Sequence, residues 1–275
     1  MPLAVCATPI GNLEDVTLRV LRELAEAELV LCEDTRHTKV LLDRHGIGAK
    51  LLSYHRHNEA QRTAELLPRL ASGERIALVS DAGLPGVNDP GARLIAAALE
   101  AGIPVTVLPG PSAVETALVS SGLAGERFQF FGYLPRGEKA LAALWAELAV
   151  WPHPAVAFES PRRLPASLRS LAAVLPERPV AVCRELTKRF EEVARGPAME
   201  LAARFSDPPK GEITLVVGAR VAEDEQVEQV DHREAVGAVV ELVEAGVPRR
   251  QAADVVARLA RVSRNTLYAE SLKSR

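Results

Sequence analysis

Short apolar runs alternate with stretches in which apolar residues recur at helical spacing. The runs are Leu3–Ala7, Leu29–Cys32, Ile76–Ser80 and Val105–Leu108, with Leu51–Ser53 a weaker fifth. Between them, Thr17–Ala27, Thr38–His45, Ala60–Ala71 and Ala92–Ala101 carry helical patterns. Strand and helix signals in alternation predict βαβ units and a parallel sheet. Asp15 or Thr17 is placed to cap the first helix, and Gly102 to end the fourth. After the fourth strong run, Pro109-Gly110-Pro111-Ser112 predicts a turn that opens a helix. Ser112 sits at its N-cap and Gly122 at its end.

From about Phe128 the pattern changes. Strands are predicted at Phe128–Gly132, Ala155–Glu159, Val180–Arg184 and Ile213–Gly218, with helices at Lys139–Ala149 and Leu164–Val174. The fold class is α/β. An N-terminal α/β domain with a parallel sheet is expected over 1–120, a second α/β domain over 121–221, and a small C-terminal helical module over 232–275. Residues 221–245 hold eight acids against one Arg, a net charge of -7, and residues 249–275 hold seven Lys and Arg against two acids, a net of +5. That reversal marks an acidic connector followed by a separate unit. Within it, Ala252, Ala253, Val255, Val256 and Leu259 line one helical face, and Ser263 could cap a second helix, Arg264–Leu272. With Arg249, Arg250, Arg258, Arg261 and Arg264 around the turn, the module resembles a small helix-turn-helix that either docks or binds RNA.

Composition narrows the function classes. A hydrophobic content of 48% and a charged content of 25% describe an ordinary globular chain of 275 residues. No apolar run reaches the roughly 18 residues of a membrane span. The N-terminus lacks a basic stretch followed by a signal-like apolar segment, so a cytoplasmic protein is expected. The three cysteines, Cys6, Cys32 and Cys183, lie in apolar runs, match no metal motif and are expected to be buried thiols. A net charge of -3 argues against a protein coated in positive charge, although local basic patches remain open.

Two loops carry the candidate chemistry. Thr8-Pro9-Ile10-Gly11-Asn12-Leu13-Glu14-Asp15 follows the first strand, and Ser80-Asp81-Ala82-Gly83-Leu84-Pro85 follows the third strong run. Gly admits close backbone approach to a ligand, and Pro stiffens the loop around it. At the carboxyl ends of sheet strands this predicts a small-molecule site. The G-x-G-x-x-G spacing of a dinucleotide site is absent. Glu33-Asp34 ends the second strand, where a ribose-binding acid sits in Rossmann proteins. Asp89 is placed to cap the helix that begins near Ala92. Asp81 is placed either to accept from a ligand or to brace its loop.

Six stretches recur together in one known family. They are Thr8-Pro9-Ile10-Gly11-Asn12-Leu13, Glu33-Asp34-Thr35-Arg36-His37-Thr38, Ser80-Asp81-Ala82-Gly83 with Asp89-Pro90-Gly91, Pro109-Gly110-Pro111-Ser112, Glu185-Leu186-Thr187-Lys188, and Lys210-Gly211-Glu212. From Leu3 to Leu272 the chain resembles bacterial enzymes of the tetrapyrrole methylase fold family that methylate the ribose 2′-oxygen of a cytidine in 16S rRNA. Leu84 and Gly86 depart from that family's usual Thr and larger apolar residue, so the loop over 84–87 is expected to be shaped differently.

The resemblance implies an S-adenosylmethionine (AdoMet) site between the two α/β domains. Pro9, Gly11, Asp81, Ala82, Gly83, Ser112 and Ala113 would contribute from the first domain. Glu159, Leu186, Gly211 and Ile213 would contribute from the second. It also implies that Glu33 and Asp34, with Arg36 and His37, face the substrate rather than a ribose of the cofactor, that 16S rRNA or the small ribosomal subunit is the partner, and that the protein is a homodimer. Ribose oxygen is a poor nucleophile until its proton is shared, and Lys188, Glu185 and Asp34 are the candidates for that task. Arg36, His37, Lys39, Arg162, Arg163, Lys188 and Arg189 each follow a predicted strand and could meet phosphate at the cleft mouth. Two other classes stay open: a methylase of the same fold acting on a tetrapyrrole precursor, and a ligand-sensing nucleic-acid-binding protein.

Overall fold

The computed structural model describes residues 2–220, 232–260 and 264–272. Five short strands, β1 (Leu3–Cys6), β2 (Leu29–Cys32), β3 (Leu51–Ser53), β4 (Ile76–Val79) and β5 (Val105–Leu108), make an all-parallel sheet in the order β3-β2-β4-β1-β5. Every residue of β1, β2 and β4 is buried. Helices cover both faces of a parallel sheet, so its inner strands read as unbroken apolar runs. Alternate residues divide between the faces. Leu3, Val5, Leu29, Leu31, Ile76 and Leu78 pack in one cluster, and Ala4, Cys6, Val30, Cys32, Ala77 and Val79 pack in the other. Each of the large side chains in the first cluster contributes about 1.5–3 kcal/mol by burial.

The crossovers are α1 (Leu18–Glu26), α2 (Thr35–Arg44), α3 (Glu59–Ala71) and α4 (Ala92–Glu100). Thr17 caps α1, accepting from the Val20 amide at 3.2 Å. Helix α2 starts a turn earlier than the periodicity predicts, because the Asp34 carboxylate accepts from the Arg36 amide at 2.8 Å and caps it there. Arg36 and His37 therefore stand in the first turn of a helix rather than in a loop. The expected cap of α4 by Asp89 is not found. Gly91 holds that position at φ 135, with no side-chain cap.

Helix α5 (Ala113–Ser121) ends at Gly122 in the left-handed region and leaves the first sheet to lie on the second. That sheet contains β6 (Gln129–Tyr133), β7 (Ala155–Glu159), β8 (Pro179–Arg184), β9 (Glu192–Pro197) and β10 (Ile213–Val217) in the order β6-β7-β10-β8-β9. Only β6 and β7 run parallel; the other three pairings are antiparallel. Its second face is covered by α6 (Glu138–Val150), α7 (Leu164–Val174) and α8 (Ala198–Arg204) around the fully buried Trp145. Residues 1–220 are one compact unit.

The C-terminal helices form another unit. They are α9 (His232–Glu244), α10 (Arg249–Ala260) and α11 (Arg264–Ser271), packed around Ala235, Val239, Ala252, Ala253, Val256 and Leu267. The acidic connector over 221–231, together with Arg261 and Ser263, lies outside the described residues. No helix among the described residues is long and apolar enough to cross a membrane. Cys6, Cys32 and Cys183 are buried in β1, β2 and β8. Burial pushes the thiols of Cys6 and Cys183 up to about 12 and about 11, and raises that of Cys32.

Candidate active site between the two lobes

Parallel strands deliver all five following loops to one edge of the first sheet. There the two Gly/Pro loops are joined by a single β-bridge. The Thr8 amide donates to Gly83 O at 2.8 Å, and the Gly83 amide returns a bond to Thr8 O at 3.0 Å. The Thr8 hydroxyl adds a bond to Ser80 O at 2.9 Å. Gly83 adopts φ 80, a conformation that favours glycine. A Cβ on Gly110 would stand 2.9 Å from the Ala7 Cβ, so the Pro109–Ser112 turn also packs against the end of β1.

The second lobe meets these loops through its Glu185–Lys188 turn. The Asn12 amide donates to the Thr187 hydroxyl at 3.0 Å. A Cβ on Gly11 would lie 2.5 Å from Lys188 Cγ and 2.9 Å from Leu186 O, so only glycine fits this crossing. Ile10, Ala82, Ala113, Val114 and Leu186 share one apolar cluster with the inner face of the second sheet. Glu185 and Thr187 both adopt positive φ, 53 and 64. Each such residue stores on the order of 1 kcal/mol of backbone strain, held here by the surrounding bonds.

Cofactor fit rests on the backbone. The amides of Gly11, Ala82 and Ala113 find no acceptor among the described residues, although all three belong to the joined loops or to the first turn of α5. Unpaired N–H groups at a glycine crossing and a helix start suit the carboxylate and hydroxyl oxygens of an amino-acid nucleoside. The residues present therefore fit AdoMet.

Two groups of acids flank this junction. In the second lobe, Lys188 Nζ donates to Glu185 at 3.0 Å and to Glu212 at 2.9 Å, and the Glu212 amide donates to Glu185 at 2.9 Å. The Glu212 amide, followed by Lys188, holds Glu185 below the ordinary carboxylate value. Burial opposes the charge on Lys188, but its bonds to Glu212 and Glu185 outweigh that and raise its pKa. Lys188 is an ammonium that donates to two carboxylates, and Glu185 accepts from it, so neither stands ready as a free base. Asp34, the third candidate, is gripped by the Arg36 guanidinium at 3.0 and 2.6 Å, which drives its pKa well down.

The first-lobe group is short of cations. Glu33, at the end of β2, accepts no hydrogen bond among the described residues. Burial, then Asp81, raises its pKa, with Arg56 and His55 opposing. Asp89 is pushed up to about 6 by burial, then by Glu33 and Asp81, against Arg56 and Ser80. Asp81 uses its carboxylate to accept from the Asp34 amide at 3.2 Å, so it braces the loop. The proximity of Glu33 to Asp81 and Asp89 joins two connections far apart in sequence, after β2 and after β4, and so is a tertiary fact.

The sequence-predicted residues divide into those brought to the junction and those not. Pro9, Gly11, Asp81, Ala82, Gly83, Ser112, Ala113 and Leu186 lie on the joined loops and turns. Gly211, at φ 96, backs against Glu185. Glu159 and Ile213, register partners across β7 and β10, alternate with Phe158 and Thr214 and so point to the α6–α8 face. There the Glu159 carboxylate accepts from Ser167 at 2.6 Å and pairs with Arg163 at 3.3 Å. Only the backbone of these two residues is left to serve a ligand. Arg163 is likewise turned inward, donating to Leu134 O and Pro135 O, which corrects its reading as a phosphate contact. Lys39 pairs with Asp43 along α2 at 2.9 Å. His37 reaches Asp81 at 4.0 Å, and Arg189 lies over the Phe190 ring. Arg36, His37, Arg162 and Arg189 are exposed.

Comparison with known proteins places this geometry. Residues 2–202 match the family model of Tetrapyrrole (Corrin/Porphyrin) Methylases. Ribosomal RNA small subunit methyltransferase I of Mesorhizobium japonicum is 42% identical over 275 residues, covering 98% of this chain and 91% of that protein. The protein of the same name from Thermotoga maritima is 43% identical over 222 residues, covering 79% of this chain and 98% of its own length. The crystal structure of uroporphyrin-III-C-methyltransferase from Thermus thermophilus superposes with a TM-score of 0.55 at 25% identity, covering 78% of this chain and 93% of that one. Two lobes, a loop-built junction and near-full-length identity agree: the chain belongs to the tetrapyrrole (corrin/porphyrin) methylases and, among them, to the ribosomal RNA small subunit methyltransferase I family.

Proposed function

We infer that this protein is an AdoMet-dependent methyltransferase of small-subunit rRNA, and that the acceptor is the ribose 2′-oxygen of a 16S rRNA cytidine. The observation that carries this reading is the junction itself, where glycine loops of the first lobe close on the Glu185–Lys188 turn of the second. When bound, AdoMet supplies an electrophilic methyl group on a sulfonium. The unpaired amides of Gly11, Ala82 and Ala113 would hold its polar ends, with Gly83 and Leu186 beside them. Fixing donor and acceptor in line is the largest service the chain performs.

The acceptor hydroxyl needs a base near neutrality, and Asp89, pushed up to about 6 by burial and then by Glu33 and Asp81, is the group we propose for it. Glu185 and Lys188 act instead as a brace between the lobes. The exposed Arg36, Arg162 and Arg189 are offered to phosphate, a contact that positions RNA without reading it. The substrate is 16S rRNA or the small subunit, and we place the enzyme in the cytoplasm as a homodimer.

The test is transfer of labelled methyl from AdoMet to small subunits purified from cells lacking the gene, followed by nucleoside mass spectrometry. The expected product is 2′-O-methylcytidine at one position. Label on a base, or none in RNA, overturns the reading.

A further inference from the structure

The run Tyr54-His55-Arg56-His57-Asn58 has no part in the junction, yet it is built as a rigid turn. Asn58 Oδ1 accepts from the His55 amide at 2.8 Å, and its Nδ2 donates to Ser53 O at 3.1 Å. Arg56 reaches across to Asn88 O at 2.9 Å, tying this turn to the loop before α4. The His55 and His57 rings meet edge to face at 5.9 Å. Beside the turn opens a polar cavity of about 480 Å³, lined among others by Glu33, Asp34, Arg36, Ser53, His57 and Asp81. Its size falls in the range of about 300–1,000 Å³ typical of small-ligand sites. Asp81 belongs both to this cavity and to the bridged loop of the junction, so an occupant would sit next to the methyl donor.

The wall is chemically mixed, and its groups are not equally available. The Asp34 carboxylate is held by Arg36, and Asp81 is engaged by the Asp34 amide. Glu33 is the acceptor left over, half-buried and without a hydrogen-bond partner among the described residues. His57 also lines the cavity and is exposed.

We propose that this cavity takes the acceptor nucleoside, Glu33 accepting from the exocyclic amine of cytosine while His57 donates to the ring edge beside it. The proposal rests on the methyl-transfer reading above. Cytosine presents an amine where uracil presents a carbonyl oxygen, so a carboxylate at that point attracts one and repels the other. Enzymes that modify single nucleotides take them out of the stack into such a pocket, at least cost from single-stranded RNA. The cavity is thus a base-reading site as well as a place for the ribose.

The experiment compares kcat/KM on two small-subunit substrates, one carrying cytidine and one uridine at the modified position, for the wild-type enzyme, Glu33→Gln and His57→Ala. Calorimetry with AdoMet accompanies each protein. The wild type is expected to prefer cytidine, and each variant to lower that preference by about tenfold or more with AdoMet affinity unchanged. An unchanged cytidine preference in both variants overturns the pocket. If Glu33→Gln fails to fold, the exposed His57→Ala decides alone. A wild-type enzyme inactive on the cytidine substrate refutes the methyl-transfer reading itself, a result distinct from an active enzyme indifferent to these changes.

Discussion

The two acidic groups beside the junction contain the same kind of side chain in opposite states. Glu185 and Glu212 share the Lys188 ammonium, and Glu185 is held below its usual pKa. Glu33, Asp81 and Asp89 face one another with Arg56 and His55 as their opposing neighbours, and the pKa of Asp89 rises to about 6. A carboxylate with a dedicated cation serves as a strut, because giving up its charge would break the pairing. One crowded by its own kind exchanges a proton near neutral pH, which is what general-base work requires. On the proposed reading, the second lobe would close the junction and the first would supply the base.

The most severe test of this division is Asp89→Asn. It should lower kcat by about 10²–10⁴-fold if Asp89 takes the acceptor proton. In the wild type, activity should fall as the pH drops through about 6. Stability should move the other way. A carboxyl whose folded pKa is raised stabilises the fold only while protonated, and that contribution is lost as the pH rises through about 6. The variant should therefore be more stable than wild type at pH 8, by about 1–2 kcal/mol after allowance for solvent screening. A variant both slow and less stable would show that Asp89 is a structural residue.

Gly11→Ala should come next, because its Cβ would meet Lys188 Cγ at 2.5 Å and the Leu186 carbonyl at 2.9 Å. The side chain can swing away but the carbonyl cannot, so the crossing must open at a cost of about 1–3 kcal/mol. The readout is weaker AdoMet binding by calorimetry, with unchanged affinity sinking the idea that the crossing shapes the site. Lys188→Met should act least of the three. It leaves Glu185 and Glu212 without their shared cation, but Glu212 is exposed and Glu185 keeps the Glu212 amide, so the loss is about 1 kcal/mol. KM for AdoMet should rise a few-fold while the pH profile of kcat stays in place. A shifted profile would return Lys188 to the role of base.

Much of the first lobe could be read directly from the chain. Strands buried on both faces announce themselves as runs such as Leu29–Cys32, and Thr17 and Gly122 mark helix ends by chemistry that depends only on neighbours. Strand β9 escaped, because Glu192–Pro197 is a charged edge strand ending in Gly and Pro, and its pairing with β8 supplies what its composition does not. The glycine loops were visible as loops, but their bridge through Thr8 and Gly83 is a tertiary fact. Glu159 and Ile213 were assigned to the right strand ends, yet a one-residue alternation turns their side chains away from the cleft. Asp89 read as a helix cap because a short acid before a helix usually is one. Its neighbours are Asp81, earlier in the same β4–α4 connection, and Glu33, which follows another strand.

The buried cysteines give the molecule a practical property. Cys6, Cys32 and Cys183 sit within strands, and their thiols stay protonated well above neutral pH. Thiolate is the form that alkylating dyes capture, so the native chain should be nearly inert to maleimide. A single cysteine introduced at the exposed Tyr133 or Val119 would then accept a fluorophore selectively, with no native thiol to remove first.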